Sequence, residues 1–378
     1  MNPETADRVL IGGGGIAGLA VARALHRRGI PSLTLERRDE PAAAGLAINL
    51  PGNAVQALDA LGLGEELRGL GQPLARREYR DAADRLIFRV DEEAFWGARA
   101  RPRCLRRADL LRVLRRGLPE EAVRQGRGLA AVRQDPGGVA AVLSDGTAET
   151  GGLLVGADGV HSTVRRAVFG GAAPEAARLA GASWRFMIPN PGVEAWTLWS
   201  GGGGLFLLIP VDRDEAYGWV AVTGAAPAGD ALGSVAPVFA RFPRRVREAL
   251  AAALARPSSL HHSPLEEVRA PRWHAGRVLL AGDAAHATAP VWAQGAALAL
   301  EDALVLARVL DRPAAAWGEA GAAYERLRRP RVAHVQAMTD RMSRAARMPD
   351  LARRLLLPFL GPRSYRATYG PLRRPVTG

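Results

Sequence analysis

The chain has 378 residues, more than the roughly 100–150 residues of a typical domain, so two domains are expected rather than one. The formal net charge is +13, but the basic residues are all arginines scattered along the chain. No aromatic-interleaved basic stripe indicates base stacking, so no nucleic-acid partner is predicted. The single cysteine, Cys104, excludes an internal disulfide and a cysteine metal cluster, and no metal site is predicted.

No apolar run reaches the ~20 residues of a membrane span, and the first residues lack a basic-then-apolar leader. We therefore expect a cytoplasmic protein with no integral membrane span, acting as a monomer or a homodimer.

A glycine-rich turn between a short apolar strand and a helix opens the chain. The strand is predicted at residues 8–11, and residues 16–28 repeat apolar side chains at helical spacing. Gly13, Gly15 and Gly18 fill the G-x-G-x-x-G frame: one glycine makes the turn, one lets the backbone approach a pyrophosphate, and one packs the helix on the strand. Free N–H groups and the positive dipole end of the helix then face the phosphates.

An acidic residue ends the second predicted strand. Residues 32–35 form this strand, and Glu36 follows it about twenty residues after the glycines, where a carboxylate accepts the hydroxyls of an adenosine ribose. The alternative is a solvated strand end.

The rest of the chain switches between helical and strand patterns. In chain order we expect a helix at 54–61, a hairpin of 76–79 and 86–90, a helix at 108–116, a small antiparallel excursion at 132 and 139–143, and a buried strand at 153–157. Strands at 182–188, 195–199, 205–209 and 217–222 predict an open antiparallel sheet. Helices at 235–255, a buried strand at 278–281 and a helical region at 318–347, with Pro330 as a kink or break, follow.

Two further glycine–acid pairs directly follow predicted strands. They are Asp158 with Gly159, and Gly282 with Asp283. Each alone could be a capped turn, because aspartate is a favoured N-cap residue. Together they are a stronger signal, because an acid after a strand can hold a ribityl hydroxyl, while a helix that begins near Gln294 can face a pyrophosphate or a flavin pyrimidine oxygen.

With these motifs the chain resembles the single-component FAD-dependent aromatic hydroxylases, the monooxygenases typified by para-hydroxybenzoate hydroxylase and salicylate hydroxylase. The likeness spans nearly the whole chain. It rests on the first glycine turn with Glu36, on Arg107 in Arg107-Ala-Asp-Leu110, on Asp158-Gly159, and on the run from Gly282-Asp283 to Glu301-Asp302.

The resemblance implies FAD as the cofactor and NAD(P)H as the co-substrate. In the family, the arginine that matches Arg107 touches the phosphate or ribityl region, and the acid that matches Asp283 binds the ribityl chain. The Asp158-Gly159 motif is associated with both FAD and NAD(P)H. The implied cofactor-binding residues are Gly13, Gly15, Ile16, Ala17, Gly18, Glu36, Arg37, Arg107, Asp158, Gly159, Gly282, Asp283, Gly295 and Ala296.

The implied fold is α/β, with a discontinuous Rossmann-like FAD-binding domain, an inserted antiparallel-sheet substrate domain and a C-terminal helical segment. We expect the FAD-binding domain at 1–75, 98–175 and 269–345, the substrate domain at 76–97 and 176–268, and a helical tail at 346–378.

Two positions depart from the family pattern. The glycine usually found before Gln294 is Ala293, and a frequent asparagine near that point is Ala297. Both lie where the family's loop lines the flavin ring, so the shape of the pocket there is expected to differ.

The implied activity is hydroxylation or epoxidation of an aromatic or other electron-rich small molecule. NAD(P)H reduces FAD, O2 forms a flavin hydroperoxide, and its distal oxygen is transferred. Arg185 and Pro290 are the residues expected at the reacting centre. Along their strand, Trp184 and Phe186 share one face and Arg185 lies on the other. If the aromatic pair is core, Arg185 points to the cleft; the alternative is a solvated arginine on a wet face.

No catalytic base is assigned. His161 and His286 lie in cofactor motifs and are expected to be packed or capping, and His261 and His262 are expected to be solvated at the sheet edge. Alternative activities are a flavin-dependent oxidase or reductase and a halogenase-like enzyme of secondary metabolism. A halogenase motif and any lysine are absent, the late Gly282-Asp283 pair argues against an NAD-dependent dehydrogenase, and a binding protein would leave three cofactor motifs unexplained.

Overall fold

The computed structural model describes residues 6–39, 46–222, 232–289, 292–345 and 350–376. The strands are β1 (Val9–Gly12), β2 (Ser32–Leu35), β3 (Ala47–Leu50), β4 (Gln72–Pro73), β5 (Arg76–Asp81), β6 (Leu86–Asp91), β7 (Arg103–Arg106), β8 (Val123–Arg124), β9 (Leu129–Asp135), β10 (Gly138–Leu143), β11 (Ala148–Gly151), β12 (Leu153–Gly156), β13 (Ala177–Pro189), β14 (Trp196–Gly201), β15 (Gly204–Pro210), β16 (Glu215–Val222), β17 (His261–Glu267), β18 (His274–Ala275) and β19 (Val278–Leu280). The α-helices are α1 (Ile16–His26), α2 (Gly52–Ala60), α3 (Gly64–Arg68), α4 (Glu92–Trp96), α5 (Arg107–Arg115), α6 (Thr163–Phe169), α7 (Arg244–Leu254), α8 (Asp283–His286), α9 (Gln294–Leu310), α10 (Ala320–Ala345) and α11 (Asp350–Tyr369).

A six-stranded sheet in the order β18-β19-β12-β1-β2-β8 forms the first layer of the fold. Its strands from β19 to β8 run parallel, and only β18 at the edge is antiparallel to its neighbour. Val9, Leu10 and Ile11 are completely buried, as the apolar runs of the sequence predict for a sheet that is covered on both faces. Because parallel strands end at one edge, the segments after β1, β2, β12 and β19 meet there.

A seven-stranded sheet in the order β17-β13-β16-β15-β14-β5-β6 forms the second unit. Trp184, Phe186 and Phe206 on one of its faces build a separate core with Val246 and Leu250 of α7. On the other face, Met187 and Ile209 form a smaller buried cluster with Ala47 of β3 and Cys104 of β7. The predicted sheet is confirmed, with one correction: β5 and β14 pair in parallel, because the hairpin of β5 and β6 enters the sheet from a distant part of the chain.

Two small sheets complete the strand pairing, in the orders β11-β10-β9 and β3-β7-β4. The first is the antiparallel excursion that the sequence predicts. Of the kink or break expected at Pro330, the break is wrong, because α10 continues through this residue; the kink stays a prediction. Within the described ranges, no helix combines the length and the apolar character that crossing a bilayer would need.

The predicted fold class is confirmed. Strands of the parallel sheet come from three separate stretches of the chain, and the strands of the seven-stranded sheet interrupt them. The exact domain boundaries stay a prediction.

Candidate functional site

The glycine turn between β1 and α1 has the geometry of a phosphate cradle. Gly13 has φ +106°, and a Cβ on it would lie 2.5 Å from the Ala157 carbonyl oxygen. A Cβ on Gly18 would lie 1.8 Å from the Gly13 carbonyl oxygen, so both positions need glycine for close packing. In front of Gly15 there is open space within 4 Å, and no side chain caps the N terminus of α1. Phosphate oxygens fit this space, since free N–H groups face it.

Glu36, at the end of β2, lies against this turn. Its Oε2 accepts a hydrogen bond from the Gly14 N–H (2.6 Å), and Oε1 accepts one from the Arg38 N–H (3.0 Å). The side chain is half-buried, whereas neighbouring Arg37 is exposed. Glu36 is thus held at the loop beside which a ribose would lie, and the contacts of Glu36 and Arg37 with the cofactor stay predictions.

Asp158, after β12, uses its carboxylate to begin a helix. Oδ2 accepts hydrogen bonds from the N–H groups of Thr163 (2.7 Å) and Val164 (3.1 Å), and Oδ1 accepts one from the Ser162 hydroxyl. This is the capped-turn alternative. Gly159, with φ +86° and open space around it, leaves the backbone accessible, and cofactor contact by this motif stays a prediction.

Asp283, after β19, presents its carboxylate to the cleft instead. Solvent reaches the side chain, yet the surrounding protein forms a recess around it. This desolvation raises the pKa of Asp283, while His286, Arg107 and Arg185 lower it. A Cβ on Gly295 would lie 3.6 Å from Asp283 Oδ1. The acid of the second motif therefore faces the N terminus of α9.

Arg107, the first residue of α5, lies between the two halves of the site. Desolvation lowers the pKa of Arg107, and the neighbouring positive charge of Arg38 adds to this effect. Asp283 and Glu36 act in the opposite direction. The guanidinium is thus near the acid expected to bind ribityl hydroxyls and also near the acid expected to bind the ribose.

The loop before α9 carries the departure at Ala293. This residue has φ +54° and ψ +33°, the left-handed conformation in which glycine is favoured. Gln294 is held by a reciprocal pair of hydrogen bonds with Asn53, of 3.0 and 3.1 Å. Gly295 and Ala296 stay half-buried at the helix start, and Pro290 lies outside the described residues.

Ala297 is completely buried. The expectation that it lines the flavin pocket is therefore wrong, because its side chain packs inside the protein.

A buried charge network supports the Gly282–Asp283 motif from behind. Asp302 Oδ2 accepts hydrogen bonds from the Gly282 N–H (2.8 Å) and His286 Nε2 (2.7 Å), and Oδ1 accepts one from Arg328 Nε (2.7 Å). Burial acts to raise the pKa of Asp302, but His286 and Arg328 outweigh it and hold this pKa at about 2. The sequence motif contains Asp302, but nothing in the sequence singles out Arg328 as its partner.

The histidines follow the expectations in part. His286 is packed, as expected, against Trp273. His161 is not packed, because its side chain is exposed beside Glu266 at 3.4 Å. His261 is exposed as expected, but His262 is half-buried with its ring centroid 5.3 Å from that of Trp184, so solvation is the wrong expectation for it.

Arg185 lies on the face of the seven-stranded sheet that looks towards these motifs. Trp184 and Phe186 are core, so the alternation of β13 turns Arg185 the other way. Its charge acts on both Arg107 and Asp283. Among the described residues, its guanidinium has no hydrogen bond or ion pair. Arg185 is thus a half-buried cation available to a ligand.

The other members of this face form an apolar wall. Strand register aligns Arg185 with a row of half-buried side chains that continues across the sheet through Trp219, Leu207, Leu198 and Tyr79. Aligned residues of neighbouring strands share a face. At its far end the row packs against the buried cluster that contains Met187 and Ile209. Arg185, at the other end, lies on the side of the sheet whose charges act on Arg107 and Asp283. A nucleotide cofactor and an organic substrate bound between this wall and the four strand-end motifs stay a prediction.

Comparison with known proteins agrees with this site. Residues 6–340 match the family described as FAD binding domain, and the chain belongs to this family. It is 35% identical over 359 residues to 3-amino-4-hydroxybenzoate 2-monooxygenase of Streptomyces cremeus, covering 91% of this chain and 88% of that protein. It is 34% identical over 366 residues to 3-hydroxybenzoate 6-hydroxylase 1 of Aquipseudomonas alcaligenes, covering 87% of each chain.

A solved structure has the same fold over nearly the full length. Klebsiella pneumoniae HpxO complexed with FAD and uric acid superposes with a TM-score of 0.82 at 27% identity, covering 97% of this chain and 92% of that chain. The resemblance to the FAD-dependent aromatic hydroxylases is thereby confirmed, and the protein is an FAD-dependent monooxygenase.

Proposed function

We propose that this enzyme hydroxylates a phenolic aromatic acid in the cleft between the seven-stranded sheet and the FAD motifs, with NAD(P)H and O2 as co-substrates. The observation that carries the proposal is the half-buried Arg185 guanidinium, which has no hydrogen bond or ion pair with any residue that the structure describes. Around Arg107, the positive charges of Arg185 and Arg38 add to its own, against the carboxylates of Asp283 and Glu36. An anionic substrate is attracted to such a field.

The chain's own residues divide the work of binding. The turn of Gly13, Gly15 and Gly18 holds the pyrophosphate, Glu36 the ribose, and Asp283 the ribityl chain. When bound, FAD would accept a hydride from NAD(P)H and activate O2 so that one oxygen atom reaches the substrate ring.

The sheet wall orients the substrate and excludes water. Trp219, Leu207 and Leu198 offer apolar surface to an aromatic ring, and the buried Trp219 Nε1 lacks a hydrogen-bond partner among the described residues. Burial raises the pKa of neighbouring Tyr217 to about 12, so its hydroxyl stays neutral and can donate. Arg185 grips a carboxylate or phenolate through two parallel N–H donors.

The names of the relatives support this substrate class. The substrates named for the two relatives above, 3-amino-4-hydroxybenzoate and 3-hydroxybenzoate, each combine a ring hydroxyl with a carboxylate. The uric acid bound in HpxO favours an acidic heteroaromatic compound as a second candidate. We place the enzyme in the cytoplasm, as a monomer or homodimer.

Replacing Arg185 tests the proposal. Arg185→Gln is expected to keep FAD but to raise the substrate KM at least tenfold, or to uncouple NAD(P)H oxidation from hydroxylation, because glutamine lacks the charge and the fork of donors. Arg89→Gln, on exposed β6 of the same sheet, is the matched control. Oxygen consumed per product formed, measured with a panel of hydroxybenzoates and urate, gives the readout.

If Arg185→Gln keeps the wild-type KM and coupling, Arg185 does not contact the substrate, and the alternative of a solvated arginine is correct. If wild-type enzyme forms hydrogen peroxide with no organic product across the panel, the oxidase alternative replaces hydroxylation.

A further inference from the structure

The edge strand β17 brings a histidine onto the cleft face of the sheet. His261 is aligned with Arg185, and the next pair is His262 with Trp184. Since aligned residues share a face and successive residues alternate, His261 lies on the Arg185 side and His262 on the core side. The ring contact between His262 and Trp184, with centroids 5.3 Å apart, agrees with this assignment.

The surroundings of His261 keep its imidazole neutral and accessible. Its side chain is exposed, and within the described part of the chain it makes no hydrogen bond or ion pair. Desolvation, Arg185 of β13, the neighbouring His262 and Arg107 at the start of α5 all lower the pKa of His261 below its usual value of about 6.5. At pH 7 the ring therefore has a free nitrogen lone pair beside the cation that is to hold the substrate.

The two histidines of the cofactor motifs are each paired with a carboxylate instead. His286 is buried and bonded to Asp302, and His161 lies next to Glu266.

We propose that His261 is the general base that removes the proton of the substrate's ring hydroxyl. This rests on the proposed function. The O–H bond breaks and its electrons stay on oxygen, while a ring nitrogen of neutral His261 forms the new N–H bond. The phenolate remains next to Arg185, where its charge is balanced, and its ring is richer in electrons for hydroxylation. Because His261 lies at an exposed edge, the imidazolium returns its proton to bulk water.

His261→Gln and His262→Gln form a matched pair, since the two residues are adjacent in sequence but on opposite faces. With FAD-loaded enzyme and 3-hydroxybenzoate as the probe, His261→Gln is expected to lower kcat at pH 7.5 about 100-fold. KM, and the substrate Kd read from perturbation of flavin absorbance, stay within about threefold. The acid limb of the kcat profile, below pH of about 6.5, disappears in His261→Gln and remains in His262→Gln.

Chemical rescue tests the same claim without reliance on one variant. Free imidazole is expected to restore kcat of His261→Ala at least tenfold, because the site is open to solvent, and to leave His262→Ala unchanged. A His261→Gln enzyme that keeps both kcat and the acid limb, or a His261→Ala enzyme whose kcat imidazole does not restore, would overturn the inference. Loss of substrate binding in Arg185→Gln together with unchanged His261→Gln would overturn this inference alone, whereas no hydroxylated product from wild type with any phenol would overturn the proposed function as well.

Discussion

The two glycine–acid motifs read alike in sequence, but they differ in what the carboxylate touches. Asp158 receives three hydrogen bonds from the start of α6, so its oxygens are occupied. Asp283 faces the cleft, with Arg107 and Arg185 acting on its charge. A strand followed by glycine and aspartate therefore predicts that the aspartate lies at the edge of the sheet. The local backbone then decides whether its carboxylate accepts hydrogen bonds from a helix start or stays available to a ligand.

The support behind each acid differs as well. Arg165 connects the two motifs, since it donates to the carbonyls of Val160 (2.7 Å) and Ala284 (2.8 Å). Behind Asp283, however, Asp302 holds the Gly282 N–H through a fully buried network. Loss of that network is expected to collapse the ligand-facing motif together with its surroundings.

The largest expected effect follows from Asp302→Ala. Removing the carboxylate takes away one of the two acids that pair with buried Arg328, and Glu301 remains at 3.0 Å. It also leaves the Gly282 N–H and the buried His286 without their acceptor. Together these losses should lower the free energy of unfolding by about 3–5 kcal/mol. Asp311→Ala, which removes an exposed ion pair with Arg28, should cost less than about 1 kcal/mol. Chemical denaturation compares the two variants, and equal losses would show that the buried network contributes no more than a surface pair.

The same acid predicts a pH dependence. The folded-state pKa of Asp302 is about 2, below the unfolded value of about 3.9. Its contribution is therefore complete above pH of about 4 and is lost as pH falls towards 2. The stability difference between wild type and Asp302→Ala should narrow across that window, and a constant difference would contradict the depressed pKa.

Glu36→Ala is expected to weaken FAD binding at least tenfold, because hydrogen bonds to a charged acceptor are worth ~1.5–3 kcal/mol each. Glu65→Ala, at an exposed position of α3, is the control. Flavin fluorescence quenching gives the Kd of each variant. Unchanged affinity in Glu36→Ala would make Glu36 a residue that only orders the Gly14 turn.

A smaller effect is expected from Asp158→Ala. Ser162 is the N-cap residue and keeps its hydrogen bond from the Arg165 N–H, so the variant loses only the acceptor of the Thr163 and Val164 N–H groups and of the Ser162 hydroxyl. This should lower the free energy of unfolding by about 1–2 kcal/mol. FAD affinity should change less than about threefold. Stability that is unaffected while FAD is lost would place Asp158 among the ligand-binding acids and remove the contrast with Asp283.

The smallest effect concerns the strained loop that faces Asp283. Ala293→Gly relieves a left-handed alanine and should stabilise the protein by up to about 1 kcal/mol. Ala322→Gly, at an exposed site inside α10, should destabilise it by about 1 kcal/mol. Thermal melts of the two variants should shift in opposite directions, and a shift in the same direction would show that Ala293 is unstrained.

The sequence predicts well those features that depend on neighbouring residues. The buried parallel strands, the glycine turn and the start of α9 at Gln294 follow from local patterns of apolar residues, glycines and acids. The helix across Pro330 does not, because tertiary packing of α10 outweighs the local preference of proline.

The sequence also did not predict contacts between residues that are far apart in the chain. Arg77 is predicted in an alternating hairpin strand, yet it is 1% exposed, because Glu92 binds its Nε at 2.7 Å and its guanidinium stacks 4.3 Å from the Trp196 ring. Tyr369 donates from the far end of the chain to the Trp292 carbonyl at 2.7 Å. The local sequence around one of these residues carries no information about its distant partner, so such contacts cannot be predicted from local patterns.

The most direct test measures FAD affinity of Asp283→Ala and Asp158→Ala side by side, by flavin fluorescence titration of the apoprotein. Asp283→Ala should raise the Kd for FAD at least tenfold with the melting temperature nearly unchanged, and Asp158→Ala should do the reverse. If Asp283→Ala keeps its FAD and merely melts earlier, Asp283 is a helix cap and the assignment of the ligand-facing acid is wrong.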